Sequence, residues 1–419
     1  ELDYSLLYQA YSAKGRNPAV DPKTMFKILT YAYSQNIYSS RKIETACKRD
    51  INFMWLLAGQ KAPDHSTIAR FRTGFLADAC ENLFYQMVRR LEEAGELSKE
   101  TVFIDGTKLE ACANKYTFVW KKSVGKWEEK MFQKIEEAIQ LLNREYMQSF
   151  SIALETRTQD LQKTVRFLEE CCQTENTVFV YGRGKRKSRN QRYLELFHRF
   201  LERQTIYDWH TASFKGRNNY CKTDPDATFM HMKDDHMRNA QLKPGYNIQT
   251  GTENRYIVGF TIHPNPTDTK TMIPHLNHLE ESLGRLPENI VADAGYGSEE
   301  NYEYLEEKNL GSYVKYNRFH WEKKKKNREN PYLSDNLPYT PETDSFICRN
   351  GKQLVHVGKR KYMTEAGYET IRDYYRCEDC SGCPYAAECK NTDKNRTVRV
   401  SHRLNELKRK ANENLCSEK

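Results

Sequence analysis

The chain has 419 residues, 38% hydrophobic and 29% charged, with 66 Lys and Arg against 57 Asp and Glu for a formal net charge of +9. That length allows two to three domains with a large core, and the basic balance favours an anionic partner while leaving the fold open. No stretch has the apolar length of a membrane span, and no basic segment followed by an apolar core marks a secretion signal, so the twelve cysteines are expected as reduced thiols in the cytoplasm.

Residues 1–98 read as all-helical. Pro22 sits where prolines open helices, and Met25, Ile28, Leu29 and Ala32 recur at helical spacing. Ser39-Ser40 reads as the cap of a helix over 41–46, and Asp64-His-Ser-Thr67 as the cap of a helix over 68–72. Short basic helices parted by tight breaks suit a helix-turn-helix module with one helix in the major groove. A small helical bundle that packs on its neighbour and touches no DNA fits the same pattern, and both readings stand at this point.

Val102-Phe-Ile-Asp-Gly106 then gives a buried strand, 101–105, that ends on an aspartate and breaks at glycine. Ile290-Val-Ala-Asp-Ala-Gly295 repeats the arrangement. Asp-Gly is a common turn dipeptide, so either run taken singly reads as a turn former. Found twice, the pattern points to two carboxylates, Asp105 and Asp293, carried to the ends of buried strands. The usual compensation for such a pair is a hard divalent cation such as Mg²⁺, which suggests phosphodiester chemistry.

Between the two runs, Met131, Ile135, Ile139 and Leu142, then Leu161, Val165 and Leu168, have amphipathic helical spacing, with a further helix over about 191–203. This predicts a helical hairpin inserted at 121–220. Strands follow at 246–251 and 256–263, then a helix over 269–283, the strand ending at Asp293, a helix over 299–308 and a strand over 311–316. His231 and His236, among Met230, Met232 and Met237, are expected in a loop with no metal role. The order fits an α/β, RNase H-like core at 99–120 and 221–320. Its mixed five-stranded sheet with flanking helices is interrupted after the first strand and preceded by the all-helical domain.

Residues 321–400 read as a basic loop with a cysteine-rich knuckle. Cys377, Cys380, Cys383 and Cys389 put four thiols within thirteen residues, which suggests structural Zn²⁺ with tetrahedral Cys₄ ligation and Cys348 as an outside ligand. Cys383-Pro384 also fits an iron–sulfur run, and unligated thiols remain a third reading. Residues 401–419 read as the start of a C-terminal helix. The basic runs Lys185-Arg-Lys187, Lys323-Lys-Lys-Lys326 and Lys408-Arg-Lys410 are candidate phosphate contacts, though each taken singly suits a solvated loop.

With these residues in view, the chain resembles the DDE-type transposases of bacterial insertion sequences. The likeness is carried by Asp105-Gly-Thr-Lys-Leu-Glu-Ala-Cys-Ala-Asn-Lys-Tyr-Thr-Phe-Val-Trp120, by Thr223-Asp-Pro-Asp-Ala227 with Gly245-Tyr-Asn-Ile-Gln249, and by Ala292-Asp-Ala-Gly-Tyr-Gly-Ser298. The resemblance implies that Asp105 and Asp293 are the first two acids of a D-D-E triad holding two Mg²⁺ ions, with Mn²⁺ as a substitute. It also implies binding of the element's terminal repeats and of target double-stranded DNA, a homodimer in the synaptic complex, and a nucleoid-associated bacterial protein. Any role of Lys108 and Glu110 at the site or on DNA rests on the resemblance alone.

The third acid departs from the family pattern. Arg409 and Glu413 stand at i, i+4, but the tyrosine expected before the arginine is missing. Glu413 is therefore a substitute candidate that also reads as half of a surface ion pair. The expectation is that the third glutamate follows Lys419, the chain being a truncated piece of a longer reading frame. The competing functions are a catalytically incomplete, transposase-derived DNA-binding protein and a stand-alone structure-specific nuclease.

Overall fold

The computed structural model describes residues 1–11, 18–182, 184–232, 241–364 and 366–417. The chain forms two compact units, one of residues 1–105, 250–261 and 272–419, the other of residues 106–249 and 262–271.

The first unit opens with helices α1 (Ser5–Gln9), α2 (Pro22–Ser34), α3 (Ser40–Arg49), α4 (Ile51–Leu57), α5 (His65–Arg70) and α6 (Ala77–Glu93). Their starts follow local chemistry: Asp21 accepts from the Thr24 amide with Pro22 in the first turn, and Asp64 accepts from the Thr67 amide. Met25, Ile28, Leu29 and Ala32 of α2 join Ile43, Phe53, Ile68 and Phe71 in one core. Strand β1 (Thr101–Glu110) follows. It runs five residues beyond the stop expected at Asp105, because Gly106 continues the strand instead of turning it.

In the second unit come β2 (Phe118–Trp120), α7 (Lys121–Tyr146), α8 (Arg157–Thr174), α9 (Arg189–Phe214), β3 (Asn219–Cys221), β4 (Thr228–His231) and the first part of β5 (Leu242–Glu253). The expected hairpin is a three-helix bundle: Met131, Ile135 and Leu142 of α7 and Leu161 and Leu168 of α8 pack with Leu194, Phe197 and Phe200 of α9. Buried Asn190, Gln191 and Gln204 interrupt the apolar stripe of α9, which blurs its period in the sequence. Buried Arg217 donates to the carbonyls of Ser213, Pro225 and Asp226, each at 2.7 Å, and so ties the end of α9 to the Thr223–Ala227 turn.

His231 belongs to β4 and not to a loop; Thr228, Phe229 and Met230 are all buried, so the strand lacks the alternation that would have revealed it. His236 and Met237 lie outside the described residues. β4 pairs antiparallel with β5 and brings the sheet to six strands where five were expected.

The first unit resumes with the rest of β5, then β6 (Tyr256–His263), α10 (Met272–Leu283), β7 (Asn289–Ala292), α11 (Glu299–Glu307) and β8 (Gly311–Val314). The strand order is β4-β5-β1-β7-β8, with β6 also on β5; β1, β7 and β8 are parallel. Val102, Ile104, Ile290, Ala292 and Val314 meet Val88 of α6, Leu276 of α10 and Leu305 of α11 in one core.

The expected basic loop at 321–400 is instead a second sheet. After α12 (Phe319–Glu322) and α13 (Lys325–Arg328) come β9 (Tyr339–Thr340), β10 (Ser345–Ile347), β11 (Gln353–Met363), β12 (Glu369–Cys377), α14 (Ala386–Cys389) and β13 (Thr397–Val400). These strands pair antiparallel in the order β13-β12-β11-β10-β9. Consecutive Lys359, Arg360 and Lys361 charge both faces of β11, so its period-2 pattern is hidden. Helix α15 (His402–Cys416) closes the described chain. Among the described residues no helix is long and apolar enough to cross a membrane.

Candidate active site and cysteine cavity

β1 and β7 run side by side in register from Thr101↔Asn289 to Ile104↔Ala292. Asp105, within β1, and Asp293, just past the end of β7, are the residues that follow the last pair, so two carboxylates stand side by side on neighbouring parallel chain segments, whose backbones lie roughly 4.8 Å apart. Ile104 and Ala292 are buried in the core. Alternation therefore turns both aspartates, which are exposed, to the opposite side of the sheet with Phe103. Asp293 also keeps the turn-forming role that its sequence suggested: its Oδ1 accepts from the Gly295 amide at 2.8 Å and caps a 3₁₀ turn over Ala294–Tyr296. The Asp105 carbonyl accepts from Thr250 Oγ1 at 3.2 Å. Two carboxylates on neighbouring chain segments are a hard oxygen donor set of the kind Mg²⁺ takes. No group of three or more His, Cys, Asp or Glu among the described residues is arranged to hold a metal ion.

Within the second unit, Gly106 has a different reason to be glycine than a turn. A Cβ there would lie 2.6 Å from Asp268 Oδ1 and 2.7 Å from Gln249 Nε2. Asp268 Oδ1 accepts from Asn247 Nδ2 at 2.8 Å and from Gln249 Nε2 at 3.1 Å, and Gln249 Nε2 donates to Asn247 Oδ1 at 3.0 Å. Asn247 and Gln249 are fully buried. Sequence reasoning missed this network. The available signal was two amides at i, i+2 inside a predicted strand, which share a face and demand partners if that face is buried. Lys108 donates to the His231 carbonyl at 2.9 Å, and Glu110 pairs with Lys243 at 2.7 Å.

Glu413 is not brought to the aspartates. It lies exposed on α15, bonded to Arg409 at 2.6 Å. Leu407 and Ala411, the buried residues of that helix, join the cluster of Ile104 and Ala292, on the side of the sheet from which Asp105 and Asp293 point away. An exposed i, i+4 pair contributes only about 0.3–0.5 kcal/mol. Glu413→Gln is accordingly expected to leave both stability and any metal-dependent DNA cleavage within about twofold of the parent, as read by thermal melting and a plasmid nicking assay.

Five thiols, those of Cys348, Cys377, Cys380, Cys383 and Cys389, line one cavity of about 20 Å³ together with Lys352, Lys390 and Arg396. That is room for about one water-sized particle. Burial, then the hydrogen-bonded Cys380 thiol, push the Cys377 thiol up to about 12. The Arg396 amide donates to Cys380 Sγ at 3.4 Å and its guanidinium to Cys389 Sγ at 3.5 Å. Cys348 reaches the cavity because β10 and β11 pair and Leu354 of β11 stands opposite Cys377.

Two family models match the chain: residues 1–74 match one described as a transposase domain (DUF772), and residues 347–419 match one described as a transposase DDE domain. Both matches support a DDE-type transposase of an insertion sequence; domains of the DDE type act on DNA and generally use divalent metal ions. The second match contains the cysteine cavity and α15, while Asp105 and Asp293 lie between the two. No curated protein and no solved structure matches.

Proposed function

We propose that this chain is a metal-dependent transposase that cuts DNA at the terminal repeats of its element and joins the freed end to target DNA. The observation that carries the reading is the register of β1 and β7, after whose last pair, Ile104↔Ala292, come Asp105 and Asp293. Those two residues would hold the catalytic Mg²⁺ ions. Divalent cations held there would supply a lowered pKa for an attacking water or 3′-hydroxyl and stabilisation of the leaving oxygen. The protein's own work is positional. The Gly295 amide fixes one oxygen of Asp293, and the paired strands fix the spacing of the two carboxylates before substrate arrives. Residues 1–98 would recognise DNA, residues 99–120 and 221–320 would form an RNase H-like catalytic core, and the helices at 121–220 would be its insertion. Two copies would synapse the two element ends on nucleoid DNA in the bacterial cytoplasm.

A plasmid carrying the element's ends tests the reading: nicking that requires Mg²⁺ and stops with chelator supports it. Tight binding of the ends without cleavage in any divalent metal favours instead a transposase-derived binding protein, a reading supported by the ion pair that occupies Glu413.

A second finer assignment concerns the cysteines, which we read as a structural zinc site drawn from Cys377, Cys380, Cys383 and Cys389, with Cys348 as the further donor. Support comes from the five thiols on one cavity, from cationic neighbours that would offset a tetrathiolate's negative charge, and from a volume that suits a single ion better than a four-iron cluster; the thiols as placed do not form a ligand set and would have to close on the ion. Stoichiometric zinc in purified protein, lost together with several degrees of melting temperature on chelation, is the expected result. Iron with a visible chromophore, or neither metal, rules the assignment out.

A further inference from the structure

The sheet of β9–β13 has two faces of opposite character. Alternation along β12 puts Asp373, Tyr375 and Cys377 on one face, where Tyr375 and Cys377 join the local core. Charges on that face are paired: His356 with Asp373 at 2.9 Å, Lys359 with Asp373 at 3.5 Å and Lys361 with Glu369 at 2.8 Å.

The other face carries Arg372, Tyr374 and Arg376 of β12. Register brings Arg360 of β11 directly opposite Arg372, and Arg399 of β13 directly opposite Tyr374. Arg360, Arg376 and Arg399 are exposed and Arg372 half-buried. Among the described residues none of these four arginines makes an ion pair. Like charges directly opposite each other weaken a strand pair, so stability alone would have placed a carboxylate at 360 or 372. Three of the four lie over aromatic rings instead. The guanidinium of Arg360 lies 5.0 Å and that of Arg399 5.6 Å from the centre of the Tyr374 ring, and that of Arg372 lies 4.1 Å from Tyr362.

We infer that this face is a docking surface for the phosphate backbone of duplex DNA. The inference rests on the reading of the chain as a DNA-acting transposase and adds where a duplex is held. A stacked guanidinium is fixed in orientation and keeps its N–H edge for an anion, the geometry that suits a phosphate oxygen. Each of the two tyrosine rings already has a guanidinium over it, which competes with base stacking there and favours a duplex over a single strand. Contacts of this kind position the duplex without reading its sequence.

The test compares the full chain with Arg360→Ala/Arg372→Ala/Arg399→Ala by fluorescence anisotropy, on a labelled duplex of element-end sequence and on an unrelated duplex, across a salt series. Each lost phosphate contact flattens the plot of log affinity against log salt by about 0.9, so the triple variant should flatten it by roughly 2–3 and weaken both duplexes by more than tenfold at low salt. The triple Arg→Lys variant keeps the charge and should retain most of the slope. An unchanged slope in the alanine variant overturns the inference and leaves the transposase reading intact. So does a loss confined to the element-end duplex, or one seen only with single strands. A parent chain that binds no duplex overturns both.

Discussion

Asp105→Asn and Asp293→Asn are each expected to lower Mg²⁺-dependent strand cleavage by more than about a hundredfold, since removing even an outer-shell partner of a metal ligand costs roughly 10–100-fold. The two substitutions keep the shape of the side chain and remove one negative charge. Neither aspartate is buried, so the fold should survive, and an unchanged melting temperature would separate a chemical loss from a structural one. The double variant should be no worse than the worse single one, because residues that act as a unit are strongly non-additive. The two also differ in a useful way. Asp293 caps a 3₁₀ turn through Oδ1, and an asparagine oxygen can take over that acceptor role. A defect in Asp293→Asn therefore reports charge and not the loss of the cap. If either variant nicks the plasmid at the parental rate, the aspartates are turn and strand residues only, and the catalytic reading falls.

How much of this was legible depended on how local the cause was. Helix starts at Pro22 and Asp64 follow from chemistry within three or four residues, and the sequence carries it. The apolar runs of β1 and β7 are equally local. Their adjacency is not, since nearly 190 residues separate Asp105 from Asp293 and only the parallel pairing of the strands brings the two side by side. Two failures had the same origin, a missing period. β4 is buried on both sides and β11 is charged on both faces, so neither alternates. The cysteine cavity shows the same divide. The spacing of Cys377, Cys380, Cys383 and Cys389 is visible in the chain, whereas the lining by Cys348 is set by strand pairing across the β10–β11 turn.

Gly106 is where a local rule gave the wrong cause for a correct residue, and it carries the second large expected effect. Asp-Gly suggested a turn, for which any residue tolerant of the turn's angles would serve. In the structure the strand continues through Gly106, and the space for a side chain is filled by Asp268 Oδ1 and Gln249 Nε2. Gly106→Val must therefore displace a carboxylate and an amide that bond each other and buried Asn247. Overpacking costs about 1–3 kcal/mol, and each buried amide left without its acceptor about as much again, so a loss of roughly 3 kcal/mol or more is expected in denaturant unfolding. A turn-forming glycine predicts otherwise: Gly106→Asn would then be nearly neutral, whereas the close approach makes it as damaging as valine. The decisive comparison is a cycle of Gly106→Ala with Asp268→Ala. Removing the carboxylate opens the space that the new Cβ needs, so the two substitutions should couple by about 0.5–3 kcal/mol, in the sense that the double variant is more stable than the singles predict. Strict additivity would mean that Asp268 does not press on this position, and the network would then have no part in why β1 carries glycine immediately after Asp105.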